Sequence, residues 1–138
     1  CSGKIYFELQ DHIDTLKIEN THIIRIEQLY PFPYDTLEEE IKKFVNCEII
    51  WCQEEPKNMG AWGFIRSRIL NVLKNIDSNQ GFIPFVGRRA SASPATGVFD
   101  RHLVNQKNIL RLAIEANMKE IKDEKQGVSL VKYKLPIE

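Results

Sequence analysis

Residues 48–62 read EIIWCQEEPKNMGAW. Side chains alternate along a strand, so Ile49 and Trp51 point to one face and Ile50 and Cys52 to the other. A strand that is apolar on both faces must be covered on both faces. That is the situation of a parallel sheet between two layers of helices. Two carboxylates and Pro56 then end the greasy run, Gly60 permits a turn, and Trp62 opens a new pattern. Both tryptophans of the chain flank this one loop. The stretch therefore predicts an α/β layer, with a strand over residues 48–53 and a loop over residues 56–60.

Downstream, Trp62, Ile65, Ile69 and Val72 fall at helical spacing and predict a helix over residues 61–73. FIPFVG predicts a strand ending at Gly87, followed by the small-residue loop GRRASASPATG, residues 87–97. A last helix is expected over residues 100–116, with Leu103, Leu110 and Ala113 or Ile114 turned inward. Residues 117–138 are charged and aperiodic. They read as a helix extension and a loose tail, with a short strand at VSLVKYKL.

Upstream, Ile5, Leu9, Ile13 and Leu16 predict an amphipathic helix over residues 3–16. HIIRIEQ, with β-branched Ile23, Ile24 and Ile26, predicts a strand of about five residues. LYPFPYD has two prolines in three residues, which excludes helix and central strand. Asp35 is expected as an N-cap with Glu38 as its capping-box partner, ahead of a helix whose buried stripe is Leu37, Ile41 and Phe44. The acidic run at residues 38–40 lies where the helix dipole favours it and needs no function.

The order is α-β-α-β-α-β-α, which predicts a three-layer α/β/α architecture around a mostly parallel sheet. Its first helix has no strand ahead of it, as though an upstream strand were missing. The chain opens on Cys rather than Met, consistent with a fragment or processed piece.

Composition narrows the function. Nineteen basic and nineteen acidic residues cancel, so no global field draws nucleic acid or an anionic membrane. No apolar run is long enough to span a bilayer. Three unpaired-looking cysteines, Cys1, Cys47 and Cys52, argue against a disulfide framework and for a reducing compartment. His12, His22 and His102 are too scattered to suggest a metal set.

In an open parallel sheet, ligands meet the loops at the carboxyl ends of the strands. Three loops qualify: EQLYPFP, QEEPKNMGAW and GRRASASPATG. Glu54 and Glu55 form a candidate acid–base pair. The structural alternative, which we favour, is that they cap the following helix or pair with Arg88 or Arg89. The two arginines suit either an anion grip or a salt bridge between domains or subunits. Ser91, Ser93 and Thr96 lack the Gly-x-Ser-x-Gly context of a nucleophile elbow. No Gly-rich phosphate loop occurs. The residues alone thus define an α/β domain with a conspicuous loop edge and no self-contained active site.

Four segments together resemble one family: CSGKIYFEL (1–9), RIEQLYPFP (25–33), WCQEEPKNMGAW (51–62) and GRRASASPATG (87–97). They are similar to the C-terminal domain of thiamine diphosphate-dependent 2-oxoglutarate dehydrogenases. The resemblance covers residues 1–116 and leaves residues 117–138 aside. It implies a transketolase C-terminal-domain-like fold, with a middle strand just ahead of the segment matching CSGK. It implies thiamine diphosphate and Mg²⁺ bound on other domains, outside this chain, so no catalytic, cofactor or metal residue is expected here. It also implies a homodimer, contacts with other domains of the same enzyme and with the lipoyl acyltransferase component, and a bacterial cytoplasmic setting, or the mitochondrial matrix as the alternative. Arg25, Gln28, Glu54, Glu55, Trp62, Arg88 and Arg89 are the candidate interface or effector residues. The competing function is a regulatory module for a nucleotide or an acyl-coenzyme.

Overall fold

A computed structural model describes residues 1–44 and 47–115. The elements run α1 (Ile5–Leu16), α2 (Tyr34–Lys42), β1 (Trp51–Pro56), α3 (Trp62–Asn75), β2 (Phe85–Arg88) and α4 (Phe99–Ile114). β1 and β2 pair in parallel, with Trp51 opposite Phe85 and Cys52 opposite Val86. The helical crossover between them is α3.

Alternation along these two strands sorts the core into two halves. Trp51 and Phe85 face α2 and α3, where they join Leu37, Ile41, Ile65, Ile69 and Leu73. Cys52 and Val86 face α1 and α4, where they meet Ile5, Leu9, Ile109 and Leu112. Burying each such side chain stabilises the fold by about 1.5–3 kcal/mol, so neither face of the sheet tolerates exposure. The three layers expected from EIIWCQ are present: Ile49 packs with the first cluster and Ile50 with the second.

Several expectations need correction. Residues 22–28 do not form a strand. They are extended, and their strand-like bonds go to Cys1: its backbone nitrogen donates to the Ile24 carbonyl at 3.1 Å, and the Ile26 amide donates to the Cys1 carbonyl at 2.9 Å. β-Branched composition makes a segment strand-ready, but a strand also needs a neighbour along its length. Asp35 is not an N-cap. The helix starts at Tyr34 with Pro33 in the cap position and no side-chain cap bond, and Glu38 pairs with Lys42 at 2.7 Å instead. A proline with its fixed φ sets the helix entry here. Leu103 is not inward. It is 43% exposed, and α4 buries Gln106, Ile109 and Leu112. Leu16 is likewise exposed, because the buried stripe of α1 ends at Ile13. The strand expected at residues 48–53 sits three residues later, and the second begins only at Phe85, with the Pro84 carbonyl just ahead of it accepting the Trp51 amide at 2.9 Å. The helix extension beyond residue 115, the loose tail and the strand at residues 128–135 lie outside the described residues.

Candidate functional site

The carboxyl end of β1 is organised by Gln53, which is 2% exposed. Its Oε1 accepts the Trp51 indole Nε1–H at 2.9 Å and the Trp62 backbone amide at 3.1 Å. Its Nε2 donates to the carbonyls of Pro56 at 3.1 Å and Met59 at 2.7 Å, with a longer bond to Glu55 at 3.3 Å. One amide side chain thus closes the loop from Gln53 to Trp62 and accepts the first free N–H of α3, a group that every helix start leaves unsatisfied. Gly60 takes φ +66°, and a Cβ there would meet the Gln53 Nε2 at 3.0 Å. This is why both tryptophans flank the loop: each gives an N–H to the same oxygen.

The second loop is tied to the first. Gly87 passes so close to β1 that a Cβ would lie 2.8 Å from the Gln53 carbonyl oxygen. Arg88 donates through Nε to the Glu54 backbone carbonyl at 2.9 Å, through Nη1 to Thr96 Oγ1 at 3.2 Å, and through Nη2 to the Pro94 carbonyl. Asn58 and Ser91 exchange two bonds, Nδ2 to the Ser91 carbonyl and the Ser91 amide to Oδ1, both at 3.0 Å. A shallow pocket of about 200 Å³ lies beside this knot, lined by Glu54, Glu55, Arg88, Thr96, His102 and Asn105, among others.

The expected Glu–Arg carboxylate bridge is not what holds these loops. Arg88 reaches Glu54 through its backbone oxygen, while the Glu54 carboxylate faces Lys4 Nζ at 3.4 Å. Lys4 also pairs with Glu8. That bond raises the Lys4 pKa. Burial pushes the Glu8 carboxyl upward, but bonds from Lys4 and from Gln106 Nε2 (2.7 Å) outweigh it and leave the pKa lowered. Lys57 is shifted down by partial burial and by nearby Arg66.

Trp62 is 9% exposed and packs on Phe85 with ring centroids 5.2 Å apart, so its area is spent inside the chain's own core. Arg25 lies over the rings of Tyr6 and Phe7, 4.8 and 5.6 Å from their centroids, and pairs with Glu27 at 3.2 Å. Gln28 donates to the Pro31 carbonyl at 2.8 Å, bracing the turn that contains the cis Tyr30–Pro31 bond. Glu54, Glu55 and Arg88 are therefore brought together around one pocket. Arg25, Gln28, Trp62 and Arg89 are not among its lining residues.

Sequence reasoning missed Gln53, Asn58 and Gln80. Gln80 clasps the backbone of Ile49 from the side, accepting its N–H at 2.8 Å and donating to its carbonyl at 2.6 Å. The available signal was a polar amide at an inward strand position between two tryptophans, which must find partners once buried.

The donor set does not fit thiamine diphosphate with Mg²⁺. Among the described residues no three His, Cys, Asp or Glu side chains converge on a point that could hold a metal, and Arg88 is committed to the Glu54 and Pro94 carbonyls and the Thr96 hydroxyl. No reaction step is assigned to these residues. Among the described residues no helix is long and apolar enough to cross a membrane.

Two helical layers around a parallel β pair, with strand-end loops locked by internal bonds, define a small α/β domain. The chain belongs to the 2-oxoglutarate dehydrogenase C-terminal family, whose sequence pattern matches residues 1–114. It is 47% identical over 103 residues to the 2-oxoglutarate dehydrogenase E1 components of Brucella anthropi, Brucella ovis and Brucella canis. Each alignment covers 75% of this chain and 10% of the relative. The chain spans about a tenth of the length of these relatives.

Proposed function

We propose that this domain serves assembly in a 2-oxoglutarate dehydrogenase that oxidatively decarboxylates 2-oxoglutarate and passes the succinyl group to a lipoyl arm. Thiamine diphosphate and Mg²⁺ would be held by other domains. The partners in this reading are a second copy of the enzyme, its own other domains and the lipoyl acyltransferase component. A bacterial cytoplasmic setting suits the Brucella relatives.

One observation carries the reading. At the strand-end loops Gln53 and Arg88 turn inward to hold backbone, while Tyr30, Val98, Phe99 and Val104 stand exposed beside or after the loops. Exposed apolar surface around a rigid frame is what association sites offer. A nucleotide or acyl-coenzyme effector role for the arginines would require Arg88 to release Pro94 and Thr96.

The test uses the full-length enzyme carrying Phe99→Ser. The expected result is weakened dimerisation in sedimentation, with activity per assembled site unchanged. An intact dimer with lost activity per site overturns the assembly reading. Arg88→Ala separates the effector role: a variant that melts like wild type but no longer responds to an acyl-coenzyme would replace the structural assignment with a regulatory one.

A further inference from the structure

The loop after β1 sets two like charges on one pair of rings. Lys57 follows the last residue of the strand, and its backbone amide donates to the Arg88 carbonyl at 2.9 Å. The next residue, Asn58, is tied to Ser91 by two bonds. The backbone at Lys57 is therefore held on both sides. Its side chain is partly buried, with Nζ 6.0 Å from the centre of the Phe85 ring. Phe85 packs on Trp62, and Arg66 Cζ lies 6.0 Å from the centre of the Trp62 ring. Arg66 stands one turn after Trp62 on α3. Helical side chains lean toward the helix N-terminus, which brings Arg66 back toward the loop that carries Lys57.

Other lysines of the chain sit beside carboxylates: Lys4 beside Glu8 and Glu54, Lys42 beside Glu38, and Lys43 beside Glu40. Their ammonium form is favoured, and the Lys4 pKa is raised. Lys57 is the reverse case. Partial burial, and then the charge of Arg66, lower its pKa, so more of it is neutral amine at a given pH. A neutral amine is a nucleophile. Arg66 decides which electrophile suits it. A neutral adduct would gain nothing from the guanidinium, whereas an adduct that carries negative charge would turn repulsion into attraction. Carbon dioxide places that charge closest. Its amine adduct, a carbamate, has the flat two-oxygen end of a carboxylate, the shape that a guanidinium binds.

We propose that Lys57 is a carbamate-forming lysine and that Arg66 holds the carbamate. The ammonium first gives up a proton to solvent. The Nζ lone pair then forms a bond to the carbon of CO₂, and one C=O electron pair moves onto oxygen. The nitrogen releases a second proton, which leaves an N-carboxylate. Nothing is oxidised or reduced. The side chain passes from positive to negative, and the loop after β1 gains an ionic tie to α3 beside the one that Gln53 already makes through the Trp62 amide. The proposed parent reaction, a decarboxylation, releases the same gas. That source rests on the functional reading above, whereas the chemistry of the site does not.

The test equilibrates the full-length enzyme with carbon-13-labelled bicarbonate. Carbamates are trapped as esters with a trialkyloxonium salt and located by mass spectrometry of the digest. Bicarbonate supplies the carbon dioxide, so the outcome does not depend on whether the enzyme decarboxylates 2-oxoglutarate. Lys57 is expected to carry several times more label than Lys4. The Lys4 side chain is 62% exposed, so accessibility alone predicts the opposite order. Arg66→Gln is expected to lower the label at Lys57 about fivefold, the equilibrium equivalent of one surface ion pair, and to leave Lys4 unchanged. Lys57→Arg should remove the Lys57 label altogether. Label at Lys57 no greater than at Lys4, or none at Lys57, overturns the proposal in the unaltered enzyme, without any variant having to fold. Label at Lys57 that survives Arg66→Gln undiminished overturns the role of Arg66. Equal losses at Lys57 and Lys4 in that variant overturn it too, since they would report a general change in the protein.

Discussion

The two edges of β1 are built from neighbouring residues and behave as opposites. Toward β2, the edge is closed several times over: by the ladder, by Gln80 on Ile49, by Gln53 on the following loop, and by Arg88 across the strand ends. Toward residues 21–26, the edge meets a cleft between isoleucines. The closed edge relies on directional bonds made by buried side chains. The open edge offers apolar walls and backbone groups. A sheet edge closed by directional bonds on one side and bounded by apolar walls on the other places its strand-end loops firmly.

Substitutions can break or sharpen that contrast. Gln53→Met on the closed edge should cost most. It keeps the volume but orphans the Trp51 indole N–H and the Trp62 amide, at about 1–3 kcal/mol for each buried group left without a partner. Denaturant unfolding should show a loss of about 3 kcal/mol, and a loss below about 1 kcal/mol would mean that water replaces the amide and the edge is not closed. Gly87→Ala comes next. Its Cβ would lie 2.6 Å from Phe85 Cζ and 2.8 Å from the Gln53 carbonyl, and relieving such overpacking costs about 1–3 kcal/mol. The same unfolding curve reads it.

On the open edge, Ile50→Val removes one methylene from a half-buried wall and should cost about 0.5–1.5 kcal/mol, at the lower end if the cleft is as accessible as described. A larger loss than Gly87→Ala would reverse the comparison. The smallest effect belongs to Glu8, whose folded pKa lies below its ordinary 4.5. A depressed carboxyl contributes stability that is present above the unfolded value and is lost as pH falls through the folded one. The stability difference between wild type and Glu8→Gln should thus be constant at neutral pH, at about 0.2–1 kcal/mol, and shrink as pH falls from 4.5. A difference that persists unchanged to low pH would assign it to packing rather than charge.

Sequence reading reached the layers because side-chain alternation in EIIWC is a property of the chain itself, and the structure places Trp51 and Cys52 in different halves of the core. It reached α3 because Trp62, Ile65 and Ile69 repeat at helical spacing. It failed at residues 22–28 because strand propensity describes side chains, whereas a strand is a relation between two backbones. It read Asp35 as a cap because the pattern fits, while Pro33 had already fixed where the helix begins. At the site it singled out charged residues, which advertise chemistry, and passed over Gln53. A neutral amide reveals its role only when burial has removed water as its alternative partner.

Cys52 gives the open edge a clock of its own. Its thiol is buried in the α1–α4 half of the core, and burial pushes its pKa up to about 12. Thiolate, the reactive form, is therefore scarce at neutral pH while the core is shut. Cys47 is exposed on the same chain and supplies an internal standard. The ratio of alkylation rates at the two sulfurs is then a count of how often the domain breathes, read without attaching any label that the molecule did not already carry.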